Sequence, residues 1–437
     1  MTLAAPVPPI AAHSLLVLLA QLGVLMTVAI LLGRLAVRVG MPPIVGELGA
    51  GVLLGPSLLG WVAPGLSGWL FPAVPEQVHL LDAVAQVGVL LLVGLTGVEM
   101  DLAMLRRRRG TALRISSAGL VIPLALGIGL GFALSSVFSQ EGSDATVFAL
   151  FLGVAMCVSA IPVIAKTLMD MNLIHRDVGQ LTLAAGMADD AFGWFMLSVV
   201  SSMAIGGLTA GKISLALLSV VLVVLIAVVA GRPVVRTVLR LCSGSPEQTV
   251  AAAVAMILLA GAGTHALGLE PVFGAFLGGV LIGSSGEFAP ARTAALRTVV
   301  LAFLAPVFFA AAGLRVDLRA LADPRVLGAA VAVLAVAVVG KFAGAYVGAR
   351  LSRLNRWEAL ALGAGMNARG VIEVIVAMVG LRLGILSPAS YTIIVLVAVV
   401  TSIMAPPLLS IAAKRLDTTP EEQQRLAARL APVPPDR

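Results

Sequence analysis

Uninterrupted apolar runs of about 18 residues or more recur from one end of this chain to the other, each long enough to cross about 30 Å of hydrocarbon as a helix. Inside a bilayer every backbone N–H and C=O needs a partner, so such runs read as helices. Charged residues make up 12% of the chain and hydrophobic ones 59%. Soluble domains carry roughly twice that charge. The expected fold class is an all-α polytopic membrane protein.

A window of about 19 residues predicts about 13 spans. They run near Ser14–Leu35, Pro43–Leu59, Leu80–Leu102, Leu113–Leu134, Val147–Met169, Val178–Ser201 and Ile213–Val235. The rest lie near Thr249–Leu267, Pro271–Ile282, Val299–Leu314, Leu327–Ala349, Ala359–Val379 and Tyr391–Ile411, the ninth being short and glycine-rich. No basic region precedes the first run, which therefore reads as a span and not as a removed signal. Cys157 and Cys242 lie in or beside apolar segments, so no disulfide framework is expected.

The net charge of +7 does not point to nucleic acid, because the basic residues sit in short groups between apolar runs. With the N-terminus outside, the inner loops hold Arg34, Arg38, Arg106 to Arg109, Arg114, Arg176, Arg232, Arg236, Arg240, Arg292, Arg297, Arg350, Arg353 and Arg356. The outer loops hold Lys212, Arg315, Arg319, Arg325 and Arg382, a bias of about three to one toward the inside. The stretch from Lys414 onward is then a short cytoplasmic tail, expected to be a solvated extension of a membrane domain covering residues 1–413.

Two segments carry helix-breaking chemistry. One is Cys157-Val158-Ser159-Ala160-Ile161-Pro162 in the fifth span; the other is Gly365-Met366-Asn367-Ala368-Arg369-Gly370 in the twelfth. Pro162 removes a backbone donor, and Ser159 offers a hydroxyl to freed carbonyls. The breaks lie seven spans apart, and an odd offset inverts one relative to the other. Residues 14–201 and 249–411 then form an inverted repeat around a linker helix at 213–235. Paired breaks of this kind mark a midplane binding site in transporters.

Charge at membrane depth is costly and needs a partner, water or a function. Asp189 and Asp190 lie deep in an apolar stretch, Lys341 is flanked by Val338, Val339 and Phe342, and Arg369 stands four residues before Glu373. Adjacent helical residues project about 100° apart, so the two aspartates face different surroundings. One can exchange a proton for a cation while the other pairs with Lys341, which acts as a counter-ion or as a second proton carrier. Arg369 and Glu373 form an expected structural pair. Glu47 among glycines suits helix contact as readily as a cavity lining, Lys166 with Asp170 suits an anchor, and His265 with Glu270 the interface. Phosphate-loop, zinc-protease and hydrolase motifs are missing, so neither an enzyme nor an ATP-driven pump is expected.

Beyond these features the chain resembles the monovalent cation:proton antiporter-2 family of sodium/proton and potassium/proton exchangers. The likeness is carried by Pro43-Ile44-Val45-Gly46-Glu47, Gly55-Pro56-Ser57-Leu58-Leu59-Gly60, Ser159-Ala160-Ile161-Pro162 and Ala188-Asp189-Asp190-Ala191-Phe192-Gly193-Trp194. It continues through Pro306-Val307-Phe308-Phe309, Gly313-Leu314, Met366-Asn367-Ala368-Arg369-Gly370 and Glu373. The resemblance implies an inverted-repeat antiporter fold with crossed broken helices, elevator-like alternating access and a homodimer. It implies that Asp190 is the carboxylate for which a monovalent cation and a proton compete, that Asp189 pairs with Lys341, and that Ser159, Pro162 and Asn367 line the broken helices. The aspartate pair with a lysine is similar to electrogenic members. No cofactor is implied; Na⁺ or K⁺ and protons are the substrates, in a bacterial inner membrane. The rival expectations are a cation channel or gated K⁺ efflux pathway, a non-transporting sensor and an organic-anion symporter.

Overall fold

The computed structural model describes residues 10–100, 109–138, 144–206, 210–242, 244–286, 290–416 and 418–423. Arg106 to Arg108 and the tail beyond residue 423 lie outside the described residues. The first half comprises α1 (Ala12–Arg38), α2 (Pro43–Leu54), α3 (Pro75–Val98), α4 (Arg109–Phe138), α5 (Ala145–Cys157), α6 (Ile161–Asp170) and α7 (Asp177–Gly206). Then come α8 (Ala210–Ile226) and α9 (Arg232–Leu241), joined through a π-helical turn at Ala227–Gly231. The second half holds α10 (Pro246–Ala266), α11 (Pro271–Gly283), α12 (Pro290–Val299), α13 (Ala305–Gly313), α14 (Pro324–Leu351), α15 (Arg356–Met366), α16 (Val371–Arg382) and α17 (Pro388–Ala413). Many of these helices open on proline, whose missing N–H is not needed in a first turn.

Ten helical stretches among the described residues are long and apolar enough to cross a membrane, and the bent pair α15–α16 makes eleven. The short apolar helices α5 and α11 stand at the fifth and ninth expected spans. The expected order of segments is therefore present, with about 13 an approximate count.

Glycine sets how closely the helices approach. A Cβ on Gly279 of α11 would lie 2.0 Å from the Gly94 carbonyl of α3, and one on Gly51 of α2 would lie 2.0 Å from the Ala310 carbonyl of α13. Backbone meets backbone here, as is common where membrane helices associate through small residues. These contacts help bind α1, α2, α3, α10, α11 and α13 into one group. A second group gathers α4, α5, α7, α14, α15, α16 and α17, with α4 and α14 in extensive contact. Gly279→Val is expected to lower the thermal midpoint in detergent, because overpacking costs about 1–3 kcal/mol and a carbonyl cannot swing aside. Gly263→Val, which meets nothing within 4 Å, serves as the control. Equal midpoints for the two variants would contradict the close approach.

The tail departs from expectation. Glu422 is buried, accepts from Arg176 Nε at 2.8 Å and from the Asp177 backbone N–H at 2.7 Å, and so caps the N-terminus of α7. A carboxylate at that end of a helix meets unpaired N–H groups and the positive end of the dipole. The described part of the tail is anchored through Glu422, while most of its other residues are exposed.

Candidate ion-binding site

The two breaks meet face to face. In the first, α5 ends at Cys157, residues 158–160 run through extended backbone, and α6 begins at Ile161. Pro162 occupies the first turn of α6, so it starts the second half-helix rather than interrupting a continuous one. In the second, α15 ends at Met366 and α16 starts after Gly370, whose φ of +150° is one that residues with a side chain rarely adopt. The extended pieces bond directly: Ala160 N–H donates to the Ala368 carbonyl at 3.2 Å, and Ser159 Oγ lies 2.9 Å from the Met366 carbonyl.

Broken helices expose backbone ends, and the buried cations of this chain take up several of them. Arg369 donates through Nη1 to the Ala155 carbonyl at 3.1 Å, and through Nη2 to the carbonyls of Met156 and, at 2.9 Å, Ala337. Lys341 donates to the Cys157 carbonyl. Both cations thus sit at the negative end of the α5 dipole. Glu373 accepts from the Gly370 N–H at 2.8 Å, at the start of α16. Its carboxylate lies 3.6 Å from Arg369 Nη1, an ion pair without a hydrogen bond. Arg369 therefore does more than the expected pairing with Glu373, since it fastens three separate carbonyls.

The aspartates have separate surroundings, although both are fully buried. Asp189 Oδ1 accepts from Ser116 Oγ of α4 at 2.6 Å, while Oδ2 is bonded by Lys341 and lies 3.1 Å from Ser159 Oγ. Ser159 has one proton to share between Asp189 and the Met366 carbonyl. Neither oxygen of Asp190 makes a well-formed hydrogen bond to the protein. Asn367 is also buried, with its amide oxygen and nitrogen both lacking a protein partner. A buried ionised carboxylate needs compensation, whereas a protonated one needs far less. This arrangement can hold either a cation or a proton at Asp190.

A cavity of about 450 Å³ lies between the two helix groups. Its inner wall includes Ile161 and Val371, the first residues of α6 and α16, and its mouth includes Glu99, Lys166 and Arg297. Glu47 lines the cavity as well, one of the two roles its glycine-rich setting allows. The Asp170 side chain lies outside the described residues. Glu270, expected at the interface, is 4% exposed and ion-paired to Arg382.

Sequence reasoning passed over Ser116 and Ser402. Ser402 donates to the Arg369 carbonyl and so fixes the second break from α17. A serine in an apolar run carries no local sign of its distant partner.

Three comparisons bear on the whole chain. The family model described as "Sodium/hydrogen exchanger, transmembrane" matches residues 23–415. The Na(+)/H(+) antiporter NhaS4 of Synechocystis sp. is 32% identical over 401 residues, covering 91% of this chain and 97% of that protein. The K(+)/H(+) antiporter 1 of Saccharomyces cerevisiae is 29% identical, covering 84% of this chain but 43% of the longer yeast protein. In three dimensions the chain is similar to the sodium proton antiporter MjNhaP1 from Methanocaldococcus jannaschii. The TM-score is 0.67 at 16% identity, with 92% of this chain and 99% of that one covered, a likeness of fold.

Proposed function

The chain belongs to the sodium/hydrogen exchanger family and is a multi-pass membrane cation/proton antiporter; from that premise we propose that a monovalent cation and a proton compete for Asp190 in an alternating-access cycle. One observation carries the reading: Asp190 is a fully buried carboxylate with no well-formed protein hydrogen bond, placed where two broken helices meet. Hard alkali cations favour oxygen ligands, and protonation of a carboxylate removes it as a ligand. Occupancy by one substrate therefore excludes the other. Asn367 and the extended backbone supply further oxygens, while Asp189 stays committed to Lys341 and Ser116.

The cavity is the cytoplasmic approach, since the basic residues at Arg34, Arg38 and Arg297 lie on its side. The protein works as a homodimer in the bacterial inner membrane, with its N-terminus outside. Purified protein in liposomes tests the reading: proton flux is measured with Na⁺, K⁺ and Li⁺ in turn, with and without an imposed potential. Proton movement coupled to at least one cation is expected. Cation flux without coupled protons would make the chain a channel, and no flux with any ion would make it a sensor.

A further inference from the structure

The face opposite the cavity is closed by a ladder of contacts between α7, which carries both aspartates, and α11 of the other helix group. Counting outward from Asp190, one turn brings Trp194 against Phe276, with ring centroids 6.4 Å apart. Another turn brings Ser198, whose Oγ accepts from the Glu270 N–H at 3.1 Å. The Glu270 carboxylate then reaches Arg382 Nη2 at 2.7 Å, at the end of α16. Glu270 thereby ties the outer half of α7, through Ser198, to the outer end of α16, through Arg382. A second bond of the same kind joins α17 to the end of α13, with Tyr391 Oη donating to the Ala312 carbonyl at 2.7 Å.

This closure differs physically from ordinary core packing. Glu270 is buried and held by a single charged partner, while the Arg382 side chain is 40% exposed and can exchange its bond for water. The indole N–H of Trp194 is buried without a partner. Such a donor loses its hydration in the closed arrangement and regains it when water enters. The ion pair favours closure and the orphaned donor favours opening, an opposition suited to a two-state element.

We infer that Trp194 and Phe276 form a gate sealing the ion site on the side opposite the cavity, locked by the Glu270–Arg382 ion pair. The inference rests on the alternating-access reading above and adds the groups that must separate for the second face to open. Glu270 and Arg382 are positioning residues, because they act on the site only through Ser198 of α7 and the outer end of α16.

The test uses full-length protein carrying Ser201→Cys with Cys242→Ser. Ser201 is 1% exposed on α7, beyond the aromatic plug, so a membrane-impermeant maleimide reaches it only when this face opens. Breaking the lock by E270Q or R382Q is expected to raise the labelling rate at position 201 about tenfold, a common size for coupling between states. The double variant is expected to gain no more than either single one, since both remove one interaction. R382K, which keeps the charge, is expected to restore slow labelling. Unchanged labelling in both single variants would overturn the gate. Cys157, which lies at the ion site, is replaced by Ser in every protein, and Ala349→Cys, fully buried at the inner end of α14, reports on general loosening; its labelling in parallel with position 201 would overturn the gate too. Because labelling is read without flux, the gate and the exchange reading fail by different measurements.

Discussion

Asp190→Asn is expected to reduce cation-driven proton flux in liposomes to the level of protein-free vesicles while leaving the thermal midpoint undiminished. Asparagine keeps the size of the side chain and removes both the proton site and the charge that holds the cation. Stability should survive because the carboxylate makes no well-formed hydrogen bond that the amide would forfeit. A neutral group also removes any need to bury a charge there. Flux is followed with a trapped pH-sensitive dye and stability by scanning fluorimetry. Normal exchange in the variant would remove Asp190 from the transport step.

Lys341→Ala is expected to have the larger effect on stability. The ammonium bonds Asp189 and the Cys157 carbonyl in a fully buried setting, so truncation strands a carboxylate and a helix end together. Removing one partner of a buried pair costs about 3–5 kcal/mol, chiefly through the charge left behind. The double variant Asp189→Asn with Lys341→Met should recover much of that loss, because replacing both partners with neutral groups avoids the stranded charge. Chemical denaturation in detergent can compare the parent, Asp189→Asn, Lys341→Met and their double variant as a double-mutant cycle. A Lys341→Ala protein as stable as the parent would contradict the clamp. A folded variant that exchanged without responding to membrane potential would instead identify the lysine as a proton carrier.

What was legible in the sequence was local. Helix starts are written in prolines such as Pro43 and Pro271, and the breaks in Pro162 and Gly370, because these residues limit their own backbone. The separation of Asp189 from Asp190 follows from helical rotation alone. The long-range partners were not legible. Ser116 meets Asp189 across 73 residues, Arg382 meets Glu270 across 112, and Glu422 meets Arg176 across 246. Each pair depends on how helices dock, and hydropathy does not encode that. A short charged stretch resembles solvated chain until the donors that Glu422 accepts from, Arg176 and the head of α7, are brought beside it.

Arg369 carries a consequence for turnover. Its guanidinium is tied to α5 and α14 while its backbone belongs to the break between α15 and α16. A side chain fastened in this way cannot follow one helix alone. The free energy of stripping water from it is met once, during folding, and does not recur with each ion carried. In the alternating-access cycle proposed above, the rate-setting barrier lies in sliding a preassembled unit past its neighbour. Bilayer thickness and viscosity should govern the speed of exchange more than the chemistry at the carboxylates does.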